Sequence, residues 1–581
     1  MLEPQPLGKF VFFLDYDAEG DRRYTNSPGL LPMLGHLRST GVDVRFVSSE
    51  QALFGELEEG CDWVGISSME RMLPRSVPAA RRVRTAYPKT VLLLGGGSLE
   101  SVACSLAADL FDIVMPGECE LTLPAVISAL AGDPSGEHRA AGIPAEAVKV
   151  GDAFPGGALD QDAIARVLNA GFPRSIAGDV VRIPASGLYL RDSERGAVWH
   201  RPAPTASAPW SPAPLSDELD ALCVVPWDIV EAEQWSVFEF YTQRGCSWGR
   251  CRFCSVADRN IRALSPRKVN EVVRAAAARG LRTVSFADDL FIQRTAWNTE
   301  LLALLEDPVI PGLEFRAQTI ANRSVWPHLE QMARVGFREL AFGIETFSPR
   351  RTELWLKSFR GETYIAQAKE TVVRTAQAGI LPEIYLILAD PTSTLAEIAW
   401  ELAECVELLG KVFAETGVLP RASFTLALLP VAGVPVTDRY PYRIRTIPLA
   451  HSKIDLPDEF RMPAPVGSFL AEADLVTGDL PYRRENLEAF FGYFDCLEKA
   501  ASDHESDAPA VEHELRRART TLTTLCAELD LLAGSLAERM LSGEAKAGAD
   551  IWSDYRRFGG YIKGVQTLAR SLTELSASSR E

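Results

Sequence analysis

No apolar run in this sequence approaches the length of a membrane span; runs such as "YLILA" (385–389) and "TVLLLGGG" (90–97) are strand-length. The opening residues "MLEPQPLGKFVFFLDY" lack a basic region followed by a small-residue cleavage site, so no secretion signal is expected and a cytoplasmic enzyme is the default. Cationic excess is missing too. With 60 Lys and Arg against 78 Asp and Glu the net charge is −18, which speaks against broad nucleic-acid binding while leaving room for a small basic site. A disulfide framework is also absent: Cys61, Cys104, Cys119, Cys223, Cys405, Cys496 and Cys526 are scattered singly and read as buried thiols. No repeat of solenoid period occurs. What remains is an ordinary globular composition spread over 581 residues, too many for one core, so three or four domains are expected.

Residues 1–140 alternate strand and helix. The strands are "KFVFFLDY" (9–16), "VDVRFVS" (42–48), "DWVGISS" (62–68), "TVLLLGG" (90–96) and "FDIVMPG" (111–117), with helical stretches such as 29–41 and 76–88 between them. Short, uniformly apolar strands with crossover helices indicate a parallel sheet covered on both faces, which binds ligands beyond its carboxyl ends. Residues 141–235 are weakly patterned: 182–202 reads as a hairpin and the Pro-, Ala- and Ser-rich 202–220 as a linker. From 236 to 436 the βα rhythm returns with six strands, "SVFEFYTQ", "RTVSFADD", "LEFRAQTI", "FRELAFGIET", "LPEIYLILAD" and "RASFTLALLP". The fold class is therefore α/β: a Rossmann-like domain, then a partial (β/α)6 barrel with its chemistry at the carboxyl ends of the strands. Ser265, Pro266 and Gly280 mark the cap, first turn and end of one barrel helix. Residues 437–581 read as a helical domain that caps the barrel.

Between the first and second barrel strands, "YTQRGCSWGRCRFCSVADRN" (241–260) places Cys246, Cys251 and Cys254 together. Four thiolates would suit a closed tetrahedral zinc site. Here a fourth ligand is lacking, the flanking histidines being His200 and His328. A cubane iron–sulfur cluster held by three thiolates leaves one iron open to a substrate or cofactor. Zinc and chance clustering are the alternatives.

This stretch resembles the cluster loop of radical S-adenosylmethionine (SAM) enzymes, whose fold is a partial βα barrel. The resemblance implies a [4Fe-4S] cluster on Cys246, Cys251 and Cys254, SAM on the open iron, and reductive cleavage of SAM to methionine and a 5′-deoxyadenosyl radical. An electron donor such as a flavodoxin or ferredoxin is implied with it. Four residues separate the first two cysteines where three are commonest, and Gly249 can absorb the extra one as a bulge. The family's pattern also implies SAM contacts: Phe253 near the adenine, Asp288 in "FADDLF", Arg316 and Gln318 on the third strand, Glu345 and Thr346 in "AFGIET", and Leu388 in "YLILADPTSTLAE". For each lone polar residue a salt bridge or loop cap is the competing role.

In the first domain no G-x-G-x-x-G lies between strand and helix, which leaves a generic nucleotide site unsupported. "GISSM" (65–69), "LLLGGGSLES" (92–101) and "FDIVMPGECELTLPAVI" (111–127) resemble the cobalamin-binding domains that precede radical SAM barrels. The implied cobalamin contacts are Ser67, Ser68, Gly95, Gly96, Gly97, Ser98, Gly117 and Glu118. Asp17 in "DYDAEG" occupies the position of the cobalt-ligating histidine of methionine-synthase-like domains, so the lower face of the corrinoid is expected to be free of protein imidazole.

Together the two resemblances imply a methyltransferase that moves a methyl group from SAM, by way of methylcobalamin, to a carbon of a small-molecule natural product or peptide precursor. Oxidation, cyclisation or ring rearrangement is the alternative within the same family, as is polar methylation of an aromatic carbon. A cobalamin sensor or carrier with a vestigial barrel is the alternative from another class. A methylthiotransferase is disfavoured, because Cys61, Cys104 and Cys119 form no second cluster set. Neither a nucleic-acid partner nor a membrane is expected.

Overall fold

The computed structural model describes residues 9–14, 28–68, 73–96, 106–107, 110–120, 122–130, 146–149, 159, 162, 164–165, 188–192, 197–201, 215–233, 235, 237–254, 259, 261–389, 395–418, 420–427, 446–447 and 462–463. Two compact units emerge: Met1–Arg244 with Arg262–Ala287 and Thr446–Met462, and Gly245–Ile261 with Asp288–Arg445 and Pro463–Glu581. The expected helical domain at 437–581 lies almost wholly outside the described residues. No helix among the described residues is long and apolar enough to cross a membrane.

The first unit opens with β1 (Lys9–Phe13), α1 (Leu30–Ser39), β2 (Asp43–Val47), α2 (Glu50–Glu58), β3 (Trp63–Ser67), α3 (Leu73–Ala86), β4 (Val91–Gly96), β5 (Ile113–Pro116) and α4 (Thr122–Leu130). After these come β6 (Glu146–Lys149), β7 (Leu188–Asp192) and β8 (Ala197–Arg201). The sheet order is β2-β1-β3-β4-β5-β7-β8-β6. Pairing is parallel from β2 to β5 and antiparallel beyond. Val64, Ile66, Leu92, Leu94 and Val114 are buried against Val77 and Val83 of α3, which explains why the central strands read as continuous apolar runs. Edge strand β2 instead alternates exposed Asp43 and Arg45 with buried Val44 and half-buried Phe46. The hairpin read at 182–202 is the β7–β8 pair, and it extends the sheet from β5.

Where a linker was expected, the first unit forms α5 (Leu215–Leu222) and α6 (Trp227–Glu233). It continues with β9 (Val237–Phe240), β10 (Gln243–Arg244), β11 (Arg262–Ala263), α7 (Pro266–Ala278) and β12 (Thr283–Phe286). Helix α7 starts as the sequence indicates: the Ser265 hydroxyl accepts from the Lys268 N–H, Pro266 fills the first turn, and Gly280 follows with φ +85°. Strands β9 and β12 pair in parallel.

In the second unit, α8 (Thr295–Glu306), β13 (Glu314–Thr319), α9 (Leu329–Val335), β14 (Phe337–Glu345), α10 (Pro349–Leu354), α11 (Gly361–Gln377), β15 (Leu381–Ala389), α12 (Leu395–Thr416) and β16 (Arg421–Ala427) alternate as expected. Strands β13 to β16 pair in parallel in chain order. One face carries buried Phe315, Ala317, Leu340, Phe342, Ile344, Ile384 and Leu386. The alternate positions carry Arg316, Gln318, Glu339, Glu383 and Tyr385. A covered parallel sheet is ordinarily apolar on both faces, so this polar face marks where chemistry can be housed.

Candidate active site

The cysteine loop leaves β10 through Gly245, whose φ of +85° suits a residue without Cβ. Cys246, Cys251 and Cys254 are half-buried and form no disulfide among the described residues. Gly249 takes φ +47°, and its N–H points at the Cys246 sulfur at 3.4 Å. A Cβ there would lie 2.4 Å from the Arg259 side chain and 3.1 Å from the Cys246 carbonyl, so the extra residue between the first two cysteines is accommodated where only glycine sits without strain. The Gln293 amide grips the start of the loop, donating to the Gly245 carbonyl at 3.1 Å and accepting from the Ser247 N–H at 2.9 Å.

The loop docks on the segment following α10. Arg252 donates through its backbone N–H to the Trp355 carbonyl at 2.8 Å and through its guanidinium to the Leu354 carbonyl at 2.9 Å. The Trp248 indole N–H reaches the Leu356 carbonyl at 2.7 Å. Phe253 meets Trp355 edge-on, 5.6 Å between ring centroids. Among the described residues no three His, Cys, Asp or Glu side chains converge as ligands of a single metal ion would. Three soft thiolates on one glycine-relaxed loop are the donor set that an iron–sulfur cluster takes.

At the carboxyl end of β14, Glu345 adopts φ +72°, costly for a residue with a side chain. Its carboxylate accepts from the Lys357 ammonium at 3.1 Å. Gly343 leaves room for that pair, since a Cβ would stand 2.4 Å from the Glu345 carboxylate and 3.2 Å from the Lys357 nitrogen. The Tyr364 hydroxyl donates to the Gly343 carbonyl at 3.1 Å. Burial works against the Lys357 ammonium, but Tyr364 and Glu345 outweigh it and hold the amine above its ordinary value. Burial likewise pushes the Cys251 thiol up to about 11, against the pull of Lys357. Thr346 is wholly buried, and its hydroxyl donates to Glu401 of α12. The Glu401 carboxylate also accepts from the Phe347 N–H at 2.8 Å and pairs with Arg351, so Thr346 braces the turn after β14.

The remaining residues expected around SAM are less uniform. Asp288 is buried at 2% exposure just past β12. Arg316 and Gln318 share the polar face of β13, as expected, but Arg316 lies 3.8 Å from Glu339 on β14, which also pairs with Arg421 of β16 at 2.9 Å. Burial raises the Glu339 carboxyl above the ordinary range even so. Gln318 is exposed and takes the Phe291 N–H on its backbone carbonyl at 2.9 Å. Leu388 lies in β15, with its side chain outside the described residues.

In the first unit, Ser67, Ser68, Gly95, Gly96, Gly117 and Glu118 come together at the carboxyl ends of β3, β4 and β5. The Ser68 N–H donates to the Gly95 carbonyl, and the Gly117 N–H to the Gly96 carbonyl. Gly96 has φ +143°, and a Cβ there would overlap the Ser68 carbonyl oxygen at 1.7 Å. That is a site of close backbone approach. Glu118, expected at the cofactor, instead has its carboxylate engaged by Arg244 at 2.7 Å and by both arms of Arg262 at 2.7 and 2.6 Å. Burial opposes its ionisation, and the two arginines prevail, lowering the carboxyl to about 2. Asp17, Gly97 and Ser98 lie outside the described residues. The sequence gives no local signal for the roles of Lys357, Gln293, Glu401, Arg244 and Arg262, because the partners of each lie well away along the chain.

Residues 240–402 match the family model of the Radical SAM superfamily, so the segment that carries the cysteine loop, the Glu345 turn and the polar strand face is a radical SAM domain. The domain implies a [4Fe-4S] cluster and SAM. Two solved proteins share the wider fold. The cobalamin-dependent S-adenosylmethionine radical enzyme OxsB, solved with aqua-cobalamin and S-adenosylmethionine bound, aligns with TM-score 0.60 at 14% identity, covering 98% of this chain and 80% of its own. The radical S-adenosylmethionine methyltransferase TsrM from Kitasatospora setae, with cobalamin and a [4Fe-4S] cluster bound, aligns with TM-score 0.51 at 14% identity, covering 78% of this chain and 80% of its own. No curated protein matches this sequence.

Proposed function

We propose that the protein is a cobalamin-dependent radical SAM methyltransferase that places a methyl group from SAM on a carbon of a natural-product or peptide precursor, and that residues 236–436 form its partial barrel. The three-thiol loop docked on the Trp355 segment carries the reading. When bound, the cluster would supply an electron to SAM and the corrinoid would carry the methyl group.

Cys246, Cys251 and Cys254 would each hold one iron and leave the fourth open. Phe253, fixed against Trp355, offers an aromatic wall to the adenine. The Glu345 carboxylate, anchored by Lys357, offers an acceptor to the SAM amino group or ribose. At the other site, Gly95 and Gly117 carry no side chain at the strand ends, and the space a Cβ would occupy there is largely open, which would let a large planar macrocycle approach. The likeness of fold to OxsB and TsrM supports cobalamin as that macrocycle. A cytoplasmic location and a flavodoxin- or ferredoxin-type electron donor belong to the same reading.

Anaerobic turnover of a candidate substrate with methyl-labelled SAM tests it by mass spectrometry. Labelled product together with S-adenosylhomocysteine and 5′-deoxyadenosine in near-equal amounts is expected. Release of 5′-deoxyadenosine alone, with no methyl gained, would replace methylation by oxidation or rearrangement. S-adenosylhomocysteine alone with methylated product would make the transfer polar.

A further inference from the structure

The cysteine loop closes on a very small neck. Strands β10 and β11 have two residues each, with Gln243 opposite Ala263 and Arg244 opposite Arg262. A ladder this short has little stability of its own. Its cross-strand pair also sets two cations against each other, which is destabilising when nothing intervenes. Arg262 is 3% exposed, so its charge cannot be left to water.

Glu118 answers both problems. One carboxylate oxygen accepts from Arg244 at 2.7 Å and from Arg262 at 2.7 Å, and the other accepts from Arg262 at 2.6 Å. Glu120 takes the second arm of Arg244. The turn that presents Glu118 is itself fixed: Gly117 has φ +89° and donates to the Gly96 carbonyl at 2.8 Å. Immediately beyond the neck, the Ser265 N–H and hydroxyl both bond Asp220.

We propose that Glu118 is a positioning residue for the cysteine loop, bridging Arg244 and Arg262 so that both ends of the three-thiolate loop are fixed to the carboxyl edge of the first sheet. The proposal rests on the reading that those thiolates hold the cluster. Three ligands carried on one loop depend on how the loop's ends are held, and outer-shell partners of this kind tune metal retention without touching the metal.

The test uses the full-length protein, reconstituted anaerobically with iron and sulfide, as wild type, Glu118→Gln, Arg262→Gln and the double variant. All four should take up iron. In each variant, iron release to a chelator should be faster by about tenfold, and the electron paramagnetic resonance signal of the reduced cluster, with and without SAM, should broaden. The double variant should be no worse than either single one, and hydroxocobalamin affinity should stay at the wild-type value. Wild-type iron retention and spectra in Glu118→Gln would overturn the proposal. So would weakened hydroxocobalamin binding with an unchanged cluster, which would make Glu118 a corrinoid contact. If Glu118→Gln fails to fold, Arg262→Lys is read by the same criteria, because it keeps the charge and loses the two-armed grip. Wild-type protein that holds no iron would overturn the cluster assignment itself, a result distinct from any difference between variants.

Discussion

Two turns at the carboxyl ends of parallel strands each present a glutamate, and they do so by opposite means. After β5 the unusual backbone angle falls on Gly117, and Glu118 beside it has both oxygens filled by arginine. After β14 the unusual angle falls on Glu345 itself, at a cost on the order of 1–3 kcal/mol. Among the described residues its cationic partner is Lys357. A carboxylate whose lone pairs are taken and whose backbone is relaxed is a structural anchor. One held in a strained turn with accepting capacity to spare is what the proposed role of Glu345 at SAM would require.

Removing the three thiols should separate the regions most sharply. The triple variant Cys246→Ala, Cys251→Ala, Cys254→Ala should retain almost no cluster iron after reconstitution while binding hydroxocobalamin as wild type does. Full iron retention would move the cluster elsewhere, and loss of both ligands would show that the regions do not act separately.

The glycines come next. Gly96→Ala drives a Cβ into the Ser68 backbone, which has little room to yield, and should cost about 4 kcal/mol or prevent folding. Gly343→Ala meets the movable ends of Glu345 and Lys357 and should cost about 1–2 kcal/mol. Urea denaturation of the two variants ranks them, and equal losses would erase the distinction between rigid and yielding neighbours. Lys357→Met should cost a comparable 1–2 kcal/mol or so, since it strands a largely buried carboxylate. It should also weaken SAM binding, measured by equilibrium dialysis.

The smallest effect is in acid. The Glu118 carboxyl has an ordinary value of 4.5 and is lowered to about 2 in the folded protein, so the unfolded chain binds more protons between those limits. Its contribution is complete above about 4.5 and is lost as pH falls toward 2. The urea midpoint of Glu118→Gln should therefore fall less steeply than wild type through this window. Parallel curves would deny the carboxylate its special environment.

The sequence showed most clearly what depends on neighbours in the chain. The central strands of the first sheet and the six strands β9 and β12 to β16 lie where apolar runs and turn residues indicate, and Ser265 caps α7 as its position suggests. Gly249 takes the left-handed backbone that the enlarged cysteine spacing called for. What escaped notice depends on distance along the chain. Glu118 and Arg262 are 144 positions apart, and no local pattern signals a carboxylate chosen to neutralise a neck that forms elsewhere. The same holds for Thr346, which looked like a cofactor contact from its motif yet spends its hydroxyl on Glu401, 55 positions away. Helices α5 and α6 were hidden beside a stretch whose proline and alanine content reads as linker.

The antiparallel hairpin β7–β8 has a practical consequence. It pairs with β5, the strand at which the parallel part of the sheet would otherwise stop. A fragment cut after residue 140 would leave β5 with a row of unmet amide and carbonyl groups on an apolar strand, a ready template for another copy of itself. Such a fragment should self-associate edge to edge, and one extended through Arg201 should not. The first sheet is protected from its own kind by a hairpin drawn from an otherwise weakly patterned stretch.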